Sequence, residues 1–380
     1  MRIVADQNIP CVAEAFADLG EVRLMPGREV TAQHLRDCQC LITRTVTRID
    51  AALLADSAVE FVGTATIGTD HIDLDYLHQA GIGCSNAPGC NAEGAAEYVL
   101  SGLFEMSRQR GFDPFQLKAG IVGFGNVGSR LFAKLEALGI DCLLCDPPLA
   151  ASGESQQNFT SLDTILRECN FISLHVPLTR AGEHPTFHLL DAERLRTLAD
   201  GCVLINAARG EVVDNRALLE LLDQRSDLHV FLDTWENEPL VSRELLQRVD
   251  IATPHIAGYS VEGRLRGTQM VLDAACAHFK LTSSWHMSQQ LPPIRSIDCG
   301  TFAGDVEFWQ DLLRLHCDIR RDHDDFVAGY DLDDDAFAAH FDGLRRIFPE
   351  RLEYPRFSLD VDAAAPVAEQ LAQLGFQLAQ

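Results

Sequence analysis

Three residues in the middle of the chain have the right types for moving a proton and holding an acid. Arg209 lies in Asn206-Ala207-Ala208-Arg209-Gly210, Glu238 in Glu236-Asn237-Glu238-Pro239 and His255 in Thr253-Pro254-His255-Ile256-Ala257-Gly258. An imidazole takes and returns protons near neutral pH. A carboxylate on its far nitrogen fixes the tautomer and steadies the imidazolium. A guanidinium offers a planar fork to a substrate carboxylate. Taken singly, each has a plainer reading: a surface charge, a turn and a structural histidine. A fourth element is Gly123-Phe124-Gly125-Asn126-Val127-Gly128, a GxGxxG. Its glycines suit a tight turn, close approach of a pyrophosphate, and close packing of a helix on a strand. Asp146 ends the next apolar run. A carboxylate there accepts from ribose hydroxyls and repels a 2′-phosphate, which favours NAD over NADP. Pro147-Pro148 behind it supplies no arginine for that phosphate.

These residues need a sheet to bring them together. The apolar runs Gly120–Gly123, Asp141–Asp146, Phe171–Leu174, Val203–Asn206, His229–Asp233 and Asp250–Thr253 read as strands, with a helix over Ser129–Leu138. Arg209, Glu238 and His255 each stand just past a strand end, where open α/β sheets bind ligands. An earlier block alternates strands at Ile3–Ala5, Cys40–Ile42 and Phe61–Gly63 with helical stretches at Val12–Leu19 and Ala51–Leu54. Gly81-Ile82-Gly83 begins another strand, and Asn91 is placed to cap a helix running to Arg110 with Glu93 in its first turn. The expected fold is α/β: two Rossmann-like doubly wound parallel-sheet domains. After Leu291-Pro292-Pro293 the pattern changes to helices over Phe308–Leu315 and Asp335–Phe348 and a strand over Phe357–Val361, a small separate α+β module.

The chain has 380 residues, 47% hydrophobic and 23% charged, in the range of ordinary globular proteins. Its net charge of −25 argues against a nucleic-acid surface and against docking on anionic membrane. An anionic substrate therefore needs a locally positive pocket. No run has the length of a membrane span, and the acidic start Met1–Asp6 does not read as an export signal. Twelve scattered cysteines suit reduced thiols in a cytoplasm. No metal site is expected. Cys142 and Cys145 form a CxxC without a second pair, and His184 and His188 are zinc-spaced without partners. Asp331–Asp335 imitates a calcium loop, but Ala336 stands where glycine is obligatory and Asp342 where the closing glutamate belongs. It reads as a turn leading into a helix.

With four motifs in order, residues 1–280 resemble the D-isomer-specific 2-hydroxyacid dehydrogenases. Val62–Asp73 looks like that family's substrate-loop segment. The resemblance implies an NAD-dependent oxidoreductase with Arg209, Glu238 and His255 catalytic. It implies cofactor contacts from Gly123, Gly125, Asn126, Val127, Gly128, Asp146, His175, Ala207, Asp233 and Gly258. Asp233 would hold the nicotinamide carboxamide. His175 is the less usual residue at its position, where relatives often carry threonine. Substrate contacts would come from Thr45, Thr66 and Tyr259, although strand-end capping also explains the two threonines. Finer features, His175–Thr179 running into Gly182–Thr186, the variant Gly258-Tyr259-Ser260, and Phe348-Pro349-Glu350-Arg351, point to a member acting on a phosphorylated sugar acid. Arg44 is the first candidate for the phosphate, with Arg264, Arg266 or a partner subunit's basic residue as others. The implied domains are a substrate-binding lid (1–92 and 259–285), an NAD-binding domain (93–258) and a dimerisation domain (286–380) that makes a homodimer. The two lobes would close on binding, hinged near residues 90 and 260. Alternatives are a dehydrogenase for 3-phosphoglycerate or another D-2-hydroxy acid, or an NAD-responsive interaction protein.

Overall fold

Runs without polar alternation become parallel strands covered on both faces. The computed structural model describes residues 1–301, 305–347, 350–362 and 364–379. Among the described residues the strands are β1 (Arg2–Asp6), β2 (Glu21–Met25), β3 (Cys40–Thr43), β4 (Phe61–Thr64), β5 (Gly83–Ser85), β6 (Ala119–Val122), β7 (Cys142–Cys145), β8 (Phe171–Leu174), β9 (Val203–Asn206), β10 (His229–Leu232), β11 (Ile251–Ala252), β12 (Arg295–Thr301), β13 (Phe357–Asp362) and β14 (Gln377–Leu378). Contacts divide the chain into two units, Met1–Ala92 with Ser260–Pro293, and Glu93–Tyr259 with Ile294–Gln380.

The first unit holds a five-stranded parallel sheet, ordered β2-β1-β3-β4-β5. Ile3, Ile42 and Phe61 pack with Leu265, Val271 and Leu272 of the helix Val261–Phe279. Val4, Leu41 and Val62 pack on the opposite side with Leu35, Leu54 and Leu77. Strand β2 has no counterpart in the sequence reading. It is an edge strand with little buried surface, so no apolar run announces it. The helix expected over Val12–Leu19 is regular only to Ala15, and Phe16 and Leu19 stay buried in the turns beyond. Gly81 does not begin a strand. Its φ of 69° ends the helix Leu74–Ala80, and β5 starts at Gly83.

The second unit holds a six-stranded parallel sheet, ordered β11-β10-β9-β8-β6-β7. Strand β6 has β7 on one side and β8 on the other, so the chain reverses its winding there. That switch point is where such sheets bind ligands. The helix after β6 begins at Asn126, earlier than Ser129, because the glycine loop turns directly into it. The helix Ala92–Arg110 has Glu93 in its first turn.

From Ile294 onward the chain packs into this second unit, although the sequence sets it apart as a module of its own. It carries a parallel sheet β12-β13-β14 and the helices Val306–His316, Ile319–Val327, Asp334–Arg346 and Ala365–Leu374. Phe326, Phe337 and Phe341 join one core with Leu204, Leu232 and Trp235. Asp333 caps the helix that follows the calcium-like run by accepting from the Ala336 amide. Phe348 and Pro349 of the expected motif lie outside the described residues. Among the described residues, no helix is long and apolar enough to cross a membrane.

Candidate active site

The register of the second sheet brings three loops side by side. Leu232 at the end of β10 pairs with Asn206 at the end of β9 and Ala252 at the end of β11. The loops that leave these ends carry Arg209, Glu238 and His255. A Cβ on Gly210 would lie 1.9 Å from the Trp235 carbonyl, so the arginine loop can press on the glutamate loop only with glycine there. Asn206 Nδ2 donates to the Arg209 carbonyl at 2.9 Å. Asn215 Oδ1 accepts from the Glu236 amide at 3.2 Å, and its own amide donates to Glu236 Oε2 at 3.1 Å.

His255 Nδ1 and Glu238 Oε2 are 2.8 Å apart. The Trp235 amide donates to the other Glu238 oxygen at 2.9 Å, and the Trp235 indole donates to the Thr253 carbonyl at 2.9 Å. Burial pushes the Glu238 carboxyl up, but the His255 ring, the Trp235 amide and the charge of Arg345 outweigh it, leaving the carboxyl below its usual value. Glu238 is therefore an anion at neutral pH. The His255 side chain keeps 33% of its surface exposed, so the other ring nitrogen can face a substrate.

His255 has a φ of 56°, in the left-handed region. A residue held there costs about 1–3 kcal/mol and persists only when its surroundings over-determine it. Here Asp233 does so. Its carbonyl accepts from the His255 amide at 2.7 Å, and its carboxylate accepts from Thr253 Oγ1 at 2.7 Å, the Ile256 amide at 2.8 Å and the Ala257 amide at 3.0 Å. Burial raises the Asp233 carboxyl pKa, with His255 and these donors opposing the rise. On the other side, Arg351 donates to the carbonyls of Ile256 and Ala257. Its guanidinium also stacks 4.3 Å from the Tyr98 ring centroid. Arg209 sits at the start of a short 3-10 turn, half-buried, with Nη1 donating to the Ala208 carbonyl at 2.8 Å.

The glycine loop fits a dinucleotide. Gly123 has a φ of 92°, and a Cβ on it would lie 2.6 Å from the His175 carbonyl oxygen. A Cβ on Gly128 would lie 2.0 Å from the Gly123 carbonyl oxygen. A Cβ on Gly125 would meet nothing within 4 Å, so that backbone lies open to a ligand. Asn126 and Val127 start the helix whose free amides suit a pyrophosphate. Asp146 accepts from the Phe124 amide at 2.8 Å and the Leu149 amide at 3.0 Å, which fixes the carboxylate beside the loop. Nε2 of His175 pairs with Ser173 Oγ at 2.8 Å, and burial pushes the ring pKa down to about 3. It is a neutral imidazole, able to offer a hydrogen bond without adding charge. Ala207 and Gly258 are half-buried in the arginine and histidine loops.

Thr45, Thr66 and Arg44 belong to the first unit. Thr45 is exposed. Thr66 Oγ1 is 2.7 Å from Thr64 Oγ1. Arg44 is paired with the buried Asp6 at 3.0 Å, so much of its charge is already answered. Arg264 donates to the Asn8 carbonyl, and Arg266 to the Cys90 carbonyl.

The metal-like spacings resolve differently from one another. Burial pushes Cys142 up to about 12 and Cys145 up to about 11, so both are protonated thiols. All twelve cysteines are free. His184 is exposed. His188 joins Asp214 and Glu236 in the one group of three potential ligands within 4.8 Å among the described residues. Its Nε2 is 2.6 Å from Glu236, and its Nδ1 is 3.7 Å from Asp214. The ring ties the Glu236–Glu238 loop through its Nε2 contact with Glu236, while its Nδ1 is only at ion-pair distance from Asp214.

Nothing in the sequence marks out Trp235, Asp233's grip on the histidine loop, Arg345 or the role of Arg351. Their partners are distant in sequence. Only the clustering of buried polar types around the three motifs hints at them.

Residues 91–257 match the D-isomer specific 2-hydroxyacid dehydrogenase, NAD binding domain. The chain is 46% identical to an erythronate-4-phosphate dehydrogenase of Chromohalobacter salexigens, over 95% of this chain and 94% of that one. It is 45% identical to the Pseudomonas aeruginosa protein of the same name, over 100% of both chains. Among solved structures, a 3-phosphoglycerate dehydrogenase of Entamoeba histolytica with NAD+ bound is 25% identical, with a TM-score of 0.62, over 74% of this chain and 95% of that one. A D-lactate dehydrogenase of Aquifex aeolicus, complexed with NAD and lactic acid, is 25% identical with a TM-score of 0.61, over 74% and 96%. With its glycine loop, its paired histidine and glutamate, and relatives that match from end to end, the chain belongs to the D-isomer specific 2-hydroxyacid dehydrogenase family, in its erythronate-4-phosphate dehydrogenase branch.

Proposed function

We propose that the protein oxidises 4-phospho-D-erythronate at C2 to 2-oxo-3-hydroxy-4-phosphobutanoate, a step in the synthesis of pyridoxal 5′-phosphate. The relatives' shared name over nearly their whole length supports the substrate. The 2.8 Å contact of His255 and Glu238 carries the chemistry. NAD, when bound, takes up the hydride that leaves C2. Removing that hydride leaves positive charge on C2 unless the hydroxyl proton departs as well. His255 takes the proton on its exposed nitrogen, and Glu238 stabilises the imidazolium formed. In reverse the same ring returns the proton. Arg209 holds the substrate carboxylate and the C2 oxygen, keeping the hydroxyl against His255.

Gly123, Gly125, Asn126, Val127 and Gly128 cradle the pyrophosphate, and Asp146 accepts from the ribose. His175, Ala207, Asp233 and Gly258 line the rest of the cofactor site. Thr45, Thr66, Arg44 and Tyr259 contact substrate. In this reading, residues 1–92 with 259–285 are the substrate-binding part, 93–258 bind NAD, and 286–380 join two copies into a homodimer. Leu315 and Ile347, exposed at 66% and 75%, support that last role. Twelve free thiols suit a reducing cytoplasm.

Purified protein with NAD should form NADH, free or enzyme-bound, from 4-phospho-D-erythronate. Its kcat/KM there should exceed that for 3-phosphoglycerate, D-lactate and D-erythronate. A preference for 3-phosphoglycerate would assign a different acid, and no turnover of any acid would favour an NAD-responsive interaction protein.

A further inference from the structure

The substrate proposed above carries an anion at each end, and Arg209 answers only one. Among the arginines of the second unit, Arg351, Arg243 and Arg345 contact aromatic rings of the catalytic loops or of the helices behind them. Arg351 is committed to the Ile256 and Ala257 carbonyls. Arg243 is committed to the carbonyls of Tyr330 and Leu332 and to Asp334, with its guanidinium 3.9 Å from the Phe337 ring centroid.

Arg345 is placed differently from both. It stands in the last turn of the helix Asp334–Arg346, where a cation suits the helix dipole. That alone would explain an exposed arginine, but Arg345 Nε is buried and has no hydrogen-bond partner. The guanidinium lies 6.0 Å from the Tyr259 ring centroid and 5.6 Å from the Phe341 ring centroid. Its contacts are a hydrogen bond to Tyr259 and the longer-range charges of Glu238 and Asp342. A buried donor left unmet costs about 1–3 kcal/mol, so the fold accepts a penalty at this spot. The mount is rigid. Phe337 and Phe341 are fully buried, and both rings meet Phe326, which meets Trp235 at 5.9 Å. Trp235 is the residue whose amide holds Glu238.

We propose that Arg345 is a binding residue for the substrate's terminal phosphate, acting beside Tyr259. The proposal rests on the phosphorylated-substrate reading and deepens it. A guanidinium presents two parallel N–H groups to two phosphate oxygens, which suits a phosphate better than an ammonium does. With Arg209 on the carboxylate and Arg345 on the phosphate, a four-carbon acid is held at both ends, and its C2 hydroxyl stays fixed against His255. Recognition then comes from the C-terminal segment, the part of the chain that a shorter dehydrogenase would lack.

The test compares wild type, Arg345→Gln and Arg345→Lys on 4-phospho-D-erythronate and on D-erythronate. Arg345→Gln should lose about 100-fold in kcat/KM on the phosphorylated acid, mostly through KM, and stay within about threefold on D-erythronate. Arg345→Lys should lose about tenfold on the phosphorylated acid alone. It is also the variant to use if the glutamine protein proves unfolded by circular dichroism. Equal losses on both acids, or no loss on either, overturn the proposal. If wild type turns over neither acid, the substrate reading has failed, and calorimetry of inorganic phosphate binding to the NAD-loaded protein decides this question. Phosphate should then bind wild type at least tenfold more tightly than Arg345→Gln, and equal binding would overturn the subsite.

Discussion

His255, Glu238 and Asp233 divide one task among three side chains. In the proposed mechanism Glu238 orients the ring, Asp233 holds the backbone that carries it, and His255 itself moves the proton. The division predicts different phenotypes. His255→Ala, Glu238→Gln and Arg209→Ala should each lower kcat/KM by about two to four orders of magnitude, measured with saturating NAD. Near-normal turnover in all three would remove the mechanism. Glu238→Gln has a second signature in stability. The Glu238 carboxyl is depressed below its ordinary 4.5, so its ionised form stabilises the fold above that pH. That contribution is lost as pH falls through the folded-state value. The Tm difference between wild type and Glu238→Gln should therefore shrink between pH 6 and pH 3 in thermal melts. A constant difference across that range would mean that Glu238 has no preferential tie to its partners.

At the scale of elements, the sheet and the glycine loop do most of the positioning. Asp146 is both the cap of the helix Pro147–Ser152 and the candidate ribose ligand. Asp146→Asn keeps an acceptor for the cap and removes the charge. It should raise the ratio of NADP to NAD activity at least about tenfold, because repulsion of a 2′-phosphate is what discriminates. An unchanged ratio in steady-state assays would move that discrimination elsewhere. These elements were legible for a physical reason. Strands β6, β8, β9 and β10 are buried on both faces, so they appear as unbroken apolar runs, and the glycine spacing follows from backbone clearances. Strand β2 stayed hidden because an edge needs no such run. The strand expectation at Gly81 failed because a left-handed helix cap and a strand start both favour glycine. Arg345 was illegible because an arginine in the last turn of an amphipathic helix looks like any solvated charge. Its place beside the Tyr259 and Phe341 rings is visible only in the structure.

For the second unit as a whole, the C-terminal segment is welded to the dinucleotide fold by charge as well as by aromatic packing. Lys134, 4% exposed, contacts Glu93 and Glu97 of the helix Ala92–Arg110 and donates to the Leu374 carbonyl at 3.0 Å. Glu97 also accepts from the Tyr354 amide at 3.1 Å and lies 3.5 Å from His316. Removing one partner strands buried charges of the other sign. Lys134→Met should cost about 3–5 kcal/mol, read by denaturant unfolding of the full-length protein. A loss below about 1 kcal/mol would show that the cluster is hydrated. The same segment exposes Leu315 and Ile347. If the proposed homodimer forms through this face, light scattering should give a dimer mass for wild type and a monomer mass for Leu315→Glu with Ile347→Glu; an unchanged mass would remove this face from the proposal.

The left-handed backbone at His255 also decides which inactive variant is worth making. Alanine removes the ring but tolerates that handedness poorly, so its failure would mix lost chemistry with a disturbed loop. Asparagine accepts the same dihedral readily. A crystallographer seeking the unreacted ternary complex should therefore choose His255→Asn, in which the substrate can be trapped on a frame that has not moved.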